Sequence, residues 1–171
     1  MKDIIKKLGG GDFRSIGRAN EVVQDVLSDL TLFKPVFNAL LSEDALVRMR
    51  AADVVEKTTK SFPELLKPHK HQLLNKVSRI PQQEVRWHVA LMIPRLELNE
   101  NDIALALEIL FDYLKDKSKI VVASSMQALA DLAKRNEELK PLAIERISVV
   151  MRKGSPAITA RGKKLLVELN K

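Results

Sequence analysis

Cysteine is absent from this 171-residue chain, which removes a disulfide framework and a thiolate metal site. Aromatic residues make up 4% of it, and Trp87 is the single tryptophan. No stretch is long and apolar enough to cross a bilayer. The run Met1-Lys2-Asp3-Ile4-Ile5-Lys6-Lys7-Leu8 is too short in apolar residues for a signal peptide. A cytoplasmic protein with no membrane partner is therefore expected. No segment shows the two-residue alternation of a strand. There is no phosphate loop, Gly-x-Ser-x-Gly elbow or HExxH motif. His69-Lys70-His71 is the one histidine pair and lacks a third ligand nearby, so no metal is expected. Nor does any spacing of serines and acids select a nucleophile and its base. The expectation is a protein without enzymatic activity and without a cofactor.

Against these absences stand 46% hydrophobic and 30% charged residues, the balance of a folded domain. One domain is expected over residues 1–171, and a code repeats within it. Val47, Val85, Val121 and Ile158 are anchors spaced by 38, 36 and 37 residues. Four places beyond them stand Ala51, Val89, Ser125 and Gly162, and eight places beyond stand Val55, Ile93, Leu129 and Leu166. A fainter copy runs Arg18-Ala19-Asn20-Glu21-Val22-Val23. A period of this length points to stacked supersecondary units.

Each unit reads as two helices. First helices are expected near 31–41, 63–77, 102–114 and 138–151, and second helices near 45–59, 83–96, 120–134 and 156–170. Apolar residues recur at three- and four-residue steps, as in Ile103, Leu107, Leu110 and Leu114. Ser155-Pro156 supplies a capping hydroxyl and a proline at the first helical position. Upstream, Gly9-Gly10-Gly11 reads as a flexible stop, and Asp12 as the N-cap of the helix carrying Arg18 to Val23. The fold expected is all-α: a right-handed α-solenoid of antiparallel helix pairs. Its segments are an N-terminal cap over 1–30 and repeats over 31–60, 61–97, 98–135 and 136–171.

The helix openings Val47-Arg48 and Val85-Arg86, with Asp44 and Asp116 ahead of two repeats, resemble the second helix of HEAT repeats. Leu66-Lys67-Pro68 and Leu139-Lys140-Pro141 place a proline in the first helix, another similarity to that family. Val122 and Thr159 depart from it where arginine is expected, and Ala104 where proline is. The resemblance implies that the second helices line a concave surface.

At 100° per residue, the third and tenth positions of a second helix point about 200° and 180° away from its anchor. The third is filled by Gly17, Met49, Trp87, Ala123 and Ala160, the tenth by Gln24, Glu56, Pro94, Ala130 and Val167. Pro94 should kink or end its helix. A surface row is usually charged; this one is small or apolar around a tryptophan, and Leu91 stands one turn beyond Trp87. The expected site is a partner-binding groove centred on Met49, Trp87 and Leu91. Arg50, Arg86, His88 and Arg95 form its basic rim, suited to a protein with an acidic border. The blander assignment is that Trp87 only packs against a neighbouring helix.

The formal charge of +7 supports a second candidate. From Arg146 onward seven basic residues face one acid, Glu168. With the fourth-position ladder of Arg18, Arg50 and Arg161, and with Lys163 and Lys164, they form a basic edge for nucleic acid. Such a charge run also serves as a solvated end cap. The position-two arginines Arg48 and Arg86 are expected to pair with turn carboxylates such as Asp44 and Asp116. A third candidate is implied by the resemblance: HEAT-like alkylpurine DNA glycosylases use concave aromatic and acidic residues, which Trp87 and Asp53 imitate. The chain is expected to be a monomer, or a homodimer through the apolar groove.

Overall fold

The computed structural model describes residues 2–171, all-α and without a strand among them. They divide into two compact units, the first ending at Glu97 and the second spanning Leu98–Lys171.

In the first unit α1 (Lys2–Leu8) and α2 (Ala19–Ser28) precede two helix pairs. The first pair joins α3 (Phe33–Asn38), flanked by single 3-10 turns, to α4 (Ala45–Ser61). In the second pair a 3-10 segment (Pro63–His69) leads into α5 (Lys70–Asn75), followed by α6 (Gln83–Met92). Pro68 explains that irregular start, because it lacks the N–H of an α-helical ladder. Pro94 acts as expected: α6 stops at Met92, and the chain leaves through a 3-10 turn, Ile93–Arg95. Asp44 caps α4, accepting from the Leu46 N–H at 2.8 Å, which satisfies one orphan donor of the first turn.

The second unit holds two helix pairs: α7 (Glu100–Tyr113) with α8 (Lys119–Arg135), and α9 (Lys140–Lys153) with α10 (Pro156–Leu169). A reciprocal capping box between Asn99 and Asp102 opens α7, and Ser155 caps α10. Gly162 admits close packing inside this unit, since a Cβ there would stand 2.2 Å from Met151 Cγ.

The repeat code is the core. Val47, Val85, Val121 and Ile158 are buried, as are Ala51, Val89, Ser125 and Gly162 four places on. Val55, Ile93 and Leu129 are buried as well, and Leu166 is half-buried. Burial of this kind contributes roughly 25 cal/mol per Å² of apolar surface. Two local expectations fail. Asp12 does not cap α2; its carboxylate accepts from the Arg14 N–H at 2.9 Å, closing a small turn, while Arg18 occupies the cap position without a capping side-chain bond. Arg48 does not pair with Asp44, which is engaged as a cap. It donates instead to the carbonyls of Ser42 and Glu43 and to Gln82.

His69 is part of this packing. Its ring stacks on Phe37, with centroids 4.2 Å apart and 23° between planes, and Phe33 lies tilted against it. Burial, helped by the Lys34 charge, holds its imidazole below the ordinary histidine range. The folded state therefore resists a proton that the unfolded chain accepts near pH 6.5. Stability from this group is complete above that value and declines as pH falls through the lowered folded value. Urea midpoints across this range should drop with acid in the native chain and drop less in His69→Phe. An equal drop in both would refute the assignment.

Candidate functional site

The first unit contains a cavity of about 370 Å³ lined by Phe13, Arg14, Ser15, Ile16, Met49, Arg50, Asp53, Glu84, Trp87 and His88. Its floor comes from α4 and α6, whose periodicity brings Met49 and Asp53, one turn apart, opposite Glu84, Trp87 and His88. Its remaining wall is the loop between α1 and α2. That loop is no flexible stop. Gly10, Gly11 and Gly17 adopt φ of 75°, 81° and 54°, values that favour glycine.

Arg50 holds the loop in place. Its side chain is 1% exposed, and its guanidinium reaches back some forty residues. It donates to the carbonyls of Leu8 (2.9 Å), Gly9 (3.1 Å), Gly10 (2.6 Å), Asp12 (3.3 Å) and Ser15 (3.2 Å). The Leu8 carbonyl ends α1, where orphan acceptors and the negative end of the helix dipole favour a cation. The loop so held leaves Phe13 and Ile16 57% and 40% exposed beside the cavity.

Within the floor, His88 Nδ1 donates to the Glu84 carbonyl at 2.6 Å, and Nε2 accepts from the Trp87 indole at 3.2 Å. This pair of bonds sets the orientation of the ring and the plane of Trp87. Burial works against ionisation of Asp53, but hydrogen bonding to the neighbouring His88 and Lys57 side chains outweighs burial and holds its carboxyl below the usual carboxylate range. The His88 ring stands 3.8 Å from the Asp53 carboxylate and the Lys57 ammonium 2.7 Å from it.

Several expected site residues sit elsewhere than the helical wheel placed them. Met49 is 8% exposed, though it lines the cavity. Pro94 and Ala130, expected on the free row, are buried too. A face turned from its own helix pair is turned toward the next one; α4 packs on both α2 and α6, and α8 on α10. Trp87 and Leu91 are half-buried. The rim loses its basic members: Arg50 is enclosed and His88 is buried. Arg95 pairs with Glu56 and donates to Thr59 at 2.9 Å, and half-buried Arg86 donates to the Ile80 carbonyl. The fourth-position ladder is broken in the same way. Arg18 is exposed but forks onto Glu21, while in the second unit exposed Arg161 donates to Gln127 at 2.6 Å. Lys163 and Lys164 are exposed. Sequence periodicity missed Phe13, Arg14, Ser15 and Ile16 entirely, since they belong to no helix. The one available signal was the density of glycine around them.

No family model matches the chain, and no curated protein matches it significantly. Solved structures do. A computationally designed armadillo repeat protein for modular peptide recognition aligns over 97% of this chain and 80% of its own, with a TM-score of 0.64 and 16% identity. A designed armadillo repeat protein in complex with the peptide (KR)4 aligns over 98% and 80%, with a TM-score of 0.59 and 17% identity. At such identities the likeness concerns fold, and it places the chain among all-α helical-repeat solenoids. Those neighbours are armadillo designs, and the HEAT assignment expected from the sequence is not confirmed by them.

Proposed function

We propose that this protein is a binding scaffold that takes a peptide segment of a protein partner into the first-unit cavity. The observation carrying the proposal is the combination in one recess of Trp87, Met49, Phe13 and Ile16 with Arg14, Asp53 and Glu84. Ligand sites are mostly apolar with a few orienting polar groups, and tryptophan is enriched among residues whose truncation costs most at interfaces. That two structural neighbours are peptide-recognition designs supports the reading. Because the arginines expected to select an acidic partner are engaged internally, selection falls to Arg14 and Glu84. The peptide thus brings an apolar side chain for the recess and mixed charge for its border.

A displayed peptide library enriched against the full chain would supply the probe. Trp87→Ala should weaken the enriched peptide by about 2 kcal/mol, roughly 30-fold, with an unchanged helical circular dichroism spectrum. Unchanged affinity, or loss of the fold, would count against the proposal. The nucleic-acid reading retains support from exposed Arg161, Lys163 and Lys164 in the second unit. It requires affinity for duplex DNA that falls steeply with salt and with Arg161→Glu.

A further inference from the structure

The second unit has its own recess, about 490 Å³, sharing no residue with the cavity above. It opens between the α7–α8 turn and the α9–α10 turn. Leu114, Val122, Val149, Val150 and Ile158 make its apolar lining, and Lys115, Lys119 and Lys153 stand around them. Three facts give it a sign. None of these lysines pairs with a carboxylate among the described residues. Asp116, the one acid in the lining, already accepts from the Ser118 N–H at 2.8 Å. Finally, the first turns of α8 and α10 contain no acidic residue, and α8 begins on Lys119, a cation at the positive end of a helix. Local electrostatics are set against the fold here, a pattern that accompanies function.

We infer that this recess binds an acidic peptide segment, one bulky apolar side chain entering between Val122, Val149 and Ile158 while flanking carboxylates meet Lys115, Lys119 and Lys153. The apolar lining demands buried hydrocarbon, and three unpaired ammonium groups demand anions. Lys115 and Lys119 come from one turn and Lys153 from the other, so the positive charge flanks the recess on two sides. Carboxylates strung along a chain on both sides of an apolar residue match that arrangement, whereas a single anionic headgroup engages one side.

The test uses the full chain and a fluorescein-labelled peptide in which glutamates flank a central Phe-Leu pair, followed by anisotropy. Saturable binding is expected, weakened at least ten-fold in Lys119→Glu/Lys153→Glu and equally by replacing the peptide's Phe-Leu with Ala-Ala. Both lysines are exposed, so the double variant should keep its fold, and thermal melting verifies this. Trp87→Ala should leave this binding intact, separating it from the first-unit site. Three outcomes would overturn the inference: no saturable binding, equal binding of an all-glutamate peptide, or unchanged affinity in the lysine variant. Displacement of the labelled peptide by equimolar duplex DNA would also overturn it, because the lysines would then serve phosphates.

Discussion

Replacing Arg50 with alanine should destabilise the first unit by about 3–5 kcal/mol and abolish the cavity. The side chain is enclosed, and its donors reach five carbonyl oxygens. Hydrogen bonds from a charged donor contribute roughly 1.5–3 kcal/mol each in favourable cases, and a buried acceptor left without a donor costs about 1–3 kcal/mol. These figures do not add, because loop carbonyls freed by the substitution can reach water. A cost of several kcal/mol remains after that allowance, a large share of a domain's marginal stability. Arg50→Lys should recover less than half of the loss, since a compact ammonium cannot span carbonyls on both sides of a guanidinium plane. Urea unfolding measures the energy, and limited proteolysis between Leu8 and Ala19 measures the release of the loop. A change below 1 kcal/mol in Arg50→Ala, with the loop still resistant, would show that the carbonyl contacts carry little energy.

Arg50 also marks the boundary of what the sequence discloses. Anchors such as Val85 and Val121 repeat at helical spacing, and every copy reports the same inward direction, so burial of that row was legible. The helix bounds followed closely: α4 was expected over 45–59 and spans Ala45–Ser61. The site was less legible because each of its determinants is non-periodic. On a helical wheel Arg50 lies about 60° from the anchor Val47, yet nothing nearby announces that a loop some forty residues upstream will close over it. The row through Met49 and Trp87 stands out in the sequence as small or apolar. Its apolar character, however, has two physical sources that a single helix cannot distinguish. Met49 is buried by neighbouring elements of its unit and reaches the recess only at its edge, while Trp87 is half-buried along it. Arg95 and Glu56, 39 residues apart, likewise meet only through tertiary packing.

Gly17→Ala should cost about 2–4 kcal/mol although it removes nothing. Two effects act together. The backbone there has φ of 54°, and an L-residue in the left-handed region carries a penalty of roughly 1–2 kcal/mol. In addition, an added Cβ would stand 2.7 Å from Arg50 Cζ and 2.9 Å from Nη1, inside any tolerable contact. The guanidinium cannot swing aside cheaply, because each displacement breaks bonds to Gly10 or Ser15. The alanine must therefore push the loop off its clamp, an overpacking cost of about 1–3 kcal/mol. The two parts can be separated by a double-mutant cycle with Arg50→Ala. Once Arg50 is truncated, the steric part disappears and the residual cost of Gly17→Ala should fall to the backbone penalty, giving a coupling of at least about 1 kcal/mol. Additive losses would mean that the loop is ordered independently of Arg50. Strong coupling, with Trp87 emission moving to the red in both single variants, would establish that one buried guanidinium and one glycine together hold the wall of the proposed peptide site.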